Sequence, residues 1–246
     1  MDTFETFGTS HLVMLAIFVL GIWPVVLLGR RVRGTDAAVR ISRVVAIAIP
    51  AFTIPLQVID FLPGEYNFET TLPIQLCDLA WIATAFALWT HHRYAVALTY
   101  YWGLVLTTQA LITPALVEEF PSPKFIAFWG MHFLIVWAAI YLTWGLGIRP
   151  TWRGYRTTVA TTLVWAVSVF TFNAITGTNY GFLNRKPSTP SILDYLGPWP
   201  LYVVLEVAII LTVWALITWP WTRTGDRPPA DDAPASAASP RPSPSG

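Results

Sequence analysis

Residues Leu72–Trp89 read LPIQLCDLAWIATAFALW, an apolar run long enough to cross a bilayer that nevertheless carries Gln75, Cys77 and Asp78 within its first two turns. Lipid offers no hydrogen bonds, so an amide, a thiol and a carboxyl group in a membrane helix belong against a protein interior or a wet cavity. Cys77 is the one cysteine of the chain. That excludes an internal disulfide and a cysteine-only metal cluster, and it directs attention to the other polar groups that reach the same depth.

Around that stretch the chain is apolar throughout. Of its 246 residues 54% are hydrophobic and 12% charged, with a mean hydropathy of +0.53. Such a composition belongs to a polytopic membrane protein rather than a soluble domain. The 13 tryptophans agree, because Trp collects at the two membrane interfaces. Fifteen basic residues balance 14 acidic ones, so no nucleic-acid partner is expected; membrane lipids are. The lead-in MDTFETFGTS is acidic and runs into a stretch long enough to span, which does not suit a cleaved signal peptide.

Seven stretches approach the roughly 20 residues a spanning helix needs. They are expected near His11–Leu28, Ile41–Ile59, Leu72–Trp89, Ala95–Thr113, Phe125–Leu146, Tyr155–Ile175 and Pro198–Trp219. The fold class is therefore all-α, a seven-helix transmembrane bundle. Alternate connectors carry arginine, at Arg30, Arg31, Arg33, Arg40 and Arg43, then Arg93, then Arg149, Arg153 and Arg156, then Arg223 and Arg227. The others carry Asp60, Glu65 and Glu69, then Glu118, Glu119 and Lys124, then Arg185, Lys186 and Asp194. Positive residues favour the cytoplasmic side, so the N-terminus is expected outside and the C-terminus inside a cell membrane.

Residues 1–222 thus form one integral-membrane domain. Residues 223–246, rich in Pro, Ala, Ser and Asp, are expected to be a disordered cytoplasmic tail. The longest connector, Thr176–Gly197, has the aromatic and Asn content of an ordered loop, and its position suggests a lid.

Depth follows from the rise of 1.5 Å per residue. On the expected boundaries, Cys77 lies roughly 8 Å below the outer end of the third helix and His132 roughly 10 Å below that of the fifth. Gln57, Gln109 and Asn173 stand near outer helix ends, Glu206 lies roughly 12 Å down the seventh helix, His11 opens the first, and Asn179 is in the long loop. The polar groups therefore share the outer half of the membrane, which implies a single polar cavity open to the outer leaflet. A membrane cysteine is ordinarily apolar filler and a single histidine a hydrogen-bonded core residue. Asp78 and Glu206 differ, because an acid at such depth is costly. His11, His132, Asp78, Glu206 and Cys77 are all ligand types, but no two stand at a ligand spacing such as HxxxH, so neither a metal nor another cofactor is expected.

A buried thiol is a poor nucleophile unless a base takes its proton. Histidine in reach of Cys77 would supply that base, and the pair could carry an acyl chain as a thioester. Gln75, Asn173 or Gln109 could donate to the developing oxyanion. Asp78 points about 100° away from Cys77 around the helix, a position for orienting a neighbour rather than for activating the thiol. Arg185 and Lys186 stand over the expected cavity mouth, where they could hold a lipid phosphate or else be neutralised by nearby acids such as Asp194.

The stretches FGTSHL at Phe7–Leu12, LPIQLCDLA at Leu72–Ala80, ALITPALVEEFPSP at Ala110–Pro123 followed by His132, and GTNYGFLNRKPSTPSILDYLGPWPLY at Gly177–Tyr202 resemble the YwaF-like bacterial integral-membrane family. That family is grouped with the eukaryotic transmembrane protein 164, an acyltransferase of polyunsaturated ether phospholipids. The resemblance implies an essential Cys and His in membrane helices, at Cys77 and His132.

Two functions stay open at this point: a lipid acyltransferase or acyl hydrolase using Cys77 and His132, and a proton- or cation-coupled transporter using Asp78, Glu206 and His132. A retinal photoreceptor is excluded, since Lys124 and Lys186 lie in connectors and no helix offers a Schiff-base amine.

Overall fold

The computed structural model describes residues 3–187 and 191–223. Seven helices form the bundle: α1 Thr9–Val32, α2 Asp36–Ile59, α3 Leu76–Thr90, α4 Arg93–Ile112, α5 Pro123–Gly145, α6 Trp152–Thr176 and α7 Leu201–Arg223. All but α3 are long and apolar enough to cross a membrane, and no strand occurs among the described residues. Short connections join α1 to α2, α3 to α4 and α5 to α6, and longer ones join the helices at the other end. Arginines accumulate at one end; the long loop and most acids gather at the other. Arg223, the first residue of the expected tail, ends α7; the rest of the tail lies outside the described residues.

The middle of the bundle is α5, which packs against α1, α2, α3 and α4, while α6 lies on α4, and α7 packs against both. The outer helices show large apolar side chains to their surroundings, among them Leu20 and Trp23 on α1, Val164 and Val167 on α6, and Val204 and Leu216 on α7. In water such a surface would aggregate; in lipid it is the solvent-matched face.

Close approach is bought with small residues in one place. A Cβ added to Gly29 of α1 would stand 2.5 Å from the Gly145 Cα of α5, so backbone meets backbone there. Gly145 ends a π-helical turn, Tyr141–Gly145, and its carbonyl accepts from Arg33 Nε at 3.0 Å.

The third helix is the main departure from expectation. It begins at Leu76, not Leu72, and spans 15 residues, about 22 Å. Gln75 is extended, and the residue before Pro73 is sterically biased away from helix. The helix continues past Trp89 until His91 turns left-handed and closes it. Cys77 is consequently in the first turn, at the end of its helix rather than two turns within it.

Candidate functional site

Two backbone groups before Cys77, and the side chain of Gln75, are captured from elsewhere in the chain. Leu72 N donates to the Tyr180 hydroxyl at 3.1 Å, and Ile74 O accepts from Trp165 Nε1 at 2.9 Å. Gln75 Oε1 accepts from Gly181 N at 2.8 Å. Gln75 N donates to Asp78 Oδ2 at 2.9 Å, while Asp78 Oδ1 accepts from Gln57 Nε2 of α2 at 3.1 Å. The tertiary bonds hold this segment extended and force the helix to start late. Asp78 is thereby explained as a first-turn cap tied to α2, in keeping with an orienting role.

Among the described residues, the next two backbone N–H groups, of Leu76 and Cys77, have no hydrogen-bond partner. The half-buried thiol of Cys77 therefore lies beside two unspent donors at a helix N-terminus.

His132 is 3% exposed. Its Nδ1 lies 2.6 Å from Phe128 O. A carbonyl oxygen only accepts, so Nδ1 carries the proton and Nε2 presents a lone pair. Nothing hydrogen-bonds to Nε2 among the described residues. The ring packs on Phe128 with centroids 4.2 Å apart, which holds its plane. Met131 and Ile135, on either side of His132, share an apolar cluster with Leu76, Leu79 and Ala80, on either side of Cys77. Cys77 and His132 thus stand on two helices that pack against each other, and among the described residues no hydrogen bond joins thiol to imidazole.

Beyond Gly181 the network runs through Asn173, 1% exposed, which uses its whole bonding capacity. Its Nδ2 donates to Tyr180 O at 2.8 Å and to Asn184 Oδ1 at 2.9 Å; its Oδ1 accepts from Tyr180 N and the Thr178 hydroxyl, each at 2.9 Å. Asn173 has no donor left for an oxyanion, which corrects the expectation that it could supply one. Tyr180 donates its own O–H to Phe68 O, and burial pushes its phenol upward in pKa, so the proton stays available for that bond. Gly181, at φ +66°, takes the left-handed turn that delivers its N–H to Gln75; a Cβ there would meet the Trp165 ring at 2.6 Å.

Gln57, Gln75, Asp78 and Asn173 are therefore brought into one network, with Asn179 at its surface end donating to Arg185 O at 2.7 Å. His11 is elsewhere. Its Nδ1 accepts from Phe7 N at 2.7 Å and its Nε2 donates to Leu111 O at 2.9 Å, among the rings of Phe4, Phe7 and Trp129. Both nitrogens are occupied, so it fastens the N-terminal segment to α4. Among the described residues, the side chains of Gln109 and Glu206 have no hydrogen-bond partner, and no hydrogen bond links Glu206, Asp78 and His132 into a relay. Arg185 reaches Glu69 at 3.3 Å, and Lys186 lies 3.9 Å from Asp194. Of the two readings of that pair, the geometry matches neutralisation by acids.

The long loop hydrogen-bonds across this end to Leu72 and Gln75, through Tyr180 and Gly181. A recess of about 420 Å³ opens beside Thr3, Ser10 and Glu119, and one of about 100 Å³ lies at the arginine end; neither includes Cys77 or His132. No group of three His, Cys, Asp or Glu among the described residues is placed to hold a metal ion. Sequence reasoning missed Trp165 and Tyr180. The NYG triplet around Tyr180 was a usable signal, whereas Trp165 is one apolar helix residue among many.

Seven apolar helices, a lipid-matched exterior and polar groups gathered at one end define a multi-pass integral membrane protein. Residues 6–218 match the model of the TMEM164 family, and the chain belongs to that family. No curated protein and no solved structure matches it.

Proposed function

We propose that the protein is a lipid acyltransferase or acyl hydrolase of the cell membrane, with Cys77 as nucleophile and His132 as base. The observation that carries this reading is the uncommitted Nε2 lone pair of the buried His132, on a helix that packs against the one whose first turn holds the half-buried Cys77 thiol. Membership of the TMEM164 family agrees with it.

The chemistry closes in two half-reactions. Cys77 gives its thiol proton to His132 Nε2 as the sulfur attacks a lipid ester carbonyl, and the oxyanion is met by the free N–H groups of Leu76 and Cys77. Collapse breaks the ester C–O bond, and the departing alkoxide takes the proton from His132, leaving a thioester. An acceptor hydroxyl, or water in the hydrolase, then yields its proton to His132, attacks the thioester and restores the thiol. Thiol and imidazole need not be bonded at rest, since catalytic contacts commonly tighten only around substrate.

The test is transfer of a labelled acyl chain between lipids by purified protein in liposomes. Cys77→Ala and His132→Ala abolish transfer, and hydroxylamine releases label from wild-type protein but not from Cys77→Ala. Unchanged turnover in Cys77→Ala overturns the proposal. Ion flux that depends on Glu206 and survives Cys77→Ala would assign the protein to transport instead.

A further inference from the structure

We infer that the connectors at the loop end of the bundle lie in the headgroup and upper acyl region of the bilayer, so that this end is a lipid-binding surface rather than a face toward water. The two ends differ in what their connectors show. At the arginine end, residues 33–35, 91–92 and 146–151 expose no large apolar side chain. At the loop end, Phe7 precedes α1, Leu62 and Phe68 lie between α2 and α3, Phe120 between α4 and α5, and Tyr195 and Trp199 between α6 and α7, each between 42% and 89% exposed. Large apolar side chains on every connector of one end form a contact surface rather than the usual scatter.

Lipid is the partner because these side chains continue a surface that lipid already covers. They run on from Val58 of α2, Ile112 of α4 and Val204 of α7, exposed residues of helices long and apolar enough to cross a membrane. Tyr and Trp are also the residues that collect at the headgroup level. The bases at this end are each met by an acid: Lys124 Nζ lies 3.4 Å from Glu65 and 3.2 Å from Glu118, Arg185 reaches Glu69 at 3.3 Å, and Lys186 lies 3.9 Å from Asp194. Paired charges lose less than single ones on entering a medium of low dielectric constant.

Helix lengths give the depth. α3 and α4 leave the same two-residue turn, His91–His92, yet α4 runs 20 residues and α3 only 15, so α3 stops about 8 Å short of the end of α4. Its span of about 22 Å is less than the roughly 30 Å of a hydrocarbon core. Residues 72–75 and the Tyr180–Gly181 turn bond to each other above it. Connector backbone thus enters the thickness of the bilayer with its polar groups bonded to protein. Acyl chains then reach the flank of the segment that leads into Cys77, and the proposed substrate enters sideways from the leaflet; that consequence rests on the acyl-transfer reading, whereas the surface itself does not.

The experiment uses the full chain with Cys77→Ser and one further substitution, Leu62→Cys, Phe120→Cys or Tyr195→Cys, spin-labelled and reconstituted in liposomes of phosphatidylcholine and phosphatidylglycerol. Asp36→Cys, at an exposed position beyond the arginine-end turn, is the aqueous reference. Power saturation compares collisions with oxygen, which concentrates in lipid, and with a water-soluble nickel chelate. Oxygen is expected to dominate at the three loop-end positions, at depths of about 5–10 Å below the water boundary, and the nickel chelate at position 36. The three side chains are exposed on separate connectors, so a variant that fails to fold leaves two to decide. Nickel access at two or more of them equal to that at position 36 overturns the surface. Shielding from both reagents means that a protein face covers the connectors, and it overturns the lipid assignment. Both results stand whether or not Cys77 carries acyl groups, which labelled-lipid transfer by wild-type and Cys77→Ala protein decides separately.

Discussion

Replacing Asn173 by Ala should release the loop that closes the polar end of the bundle, and the structure sets the size of the effect. Asn173 makes four hydrogen bonds, to Tyr180 O, Tyr180 N, Asn184 and Thr178. Tyr180 is fully buried, so its peptide groups cannot turn to solvent when the amide is gone. At about 1 kcal/mol net for each neutral bond, the variant loses about 4 kcal/mol, or roughly 500- to 1,000-fold in the closed-to-open ratio of the loop. The loop carries its own reporter. Trypsin can cut the Arg185–Lys186 bond, whose flanking backbone is held by Asn179 through Arg185 N at 3.0 Å and Arg185 O at 2.7 Å. Where reclosing is faster than cleavage, the cutting rate follows the open population. Asn173→Ala should therefore be cut faster by two to three orders of magnitude. Asn184→Ala, which removes one of the four bonds, should be cut about five- to ten-fold faster. An Asn173→Ala rate within about threefold of wild type, or equal rates for the two variants, would refute the additive bonding argument.

Two further perturbations test the frame around the site. Gly29→Ala puts a methyl 2.5 Å from the Gly145 Cα; the helices must part by about 1 Å, which costs ~1–3 kcal/mol and should lower the melting temperature by several degrees. An unaltered melt would show that the helices do not meet there. His91, which bonds Ser42 Oγ at 2.9 Å, has its pKa lowered by burial and then by Arg43. The unfolded chain then binds the proton more readily than the folded one, so stability is present above about pH 6.5 and is lost as the pH falls through that value. Melting curves from about pH 7.5 to 5.5 should show a drop for wild type that is smaller for His91→Gln; parallel curves would exclude His91 as its source.

Sequence alone determined what depends on the solvent. Long apolar runs must become helices that bond their own backbones in lipid, so seven helices were legible, as was the alternation of arginine and acid between the two ends. Cys77 and His132 stood out because polar groups are rare in such runs. What the sequence could not determine is how each polar group is used, since that depends on partners far along the chain. Trp165 and Tyr180 reach back 91 and 108 residues to stop α3 from beginning at Leu72, and no local pattern records that capture. Asn173 and His11 read as free functional groups, yet each is consumed by neighbours that only folding delivers. The free N–H groups beside Cys77, the bare Nε2 of His132 and the contact of Gly29 with Gly145 likewise exist only once the helices are packed, because each is a property of two surfaces brought together.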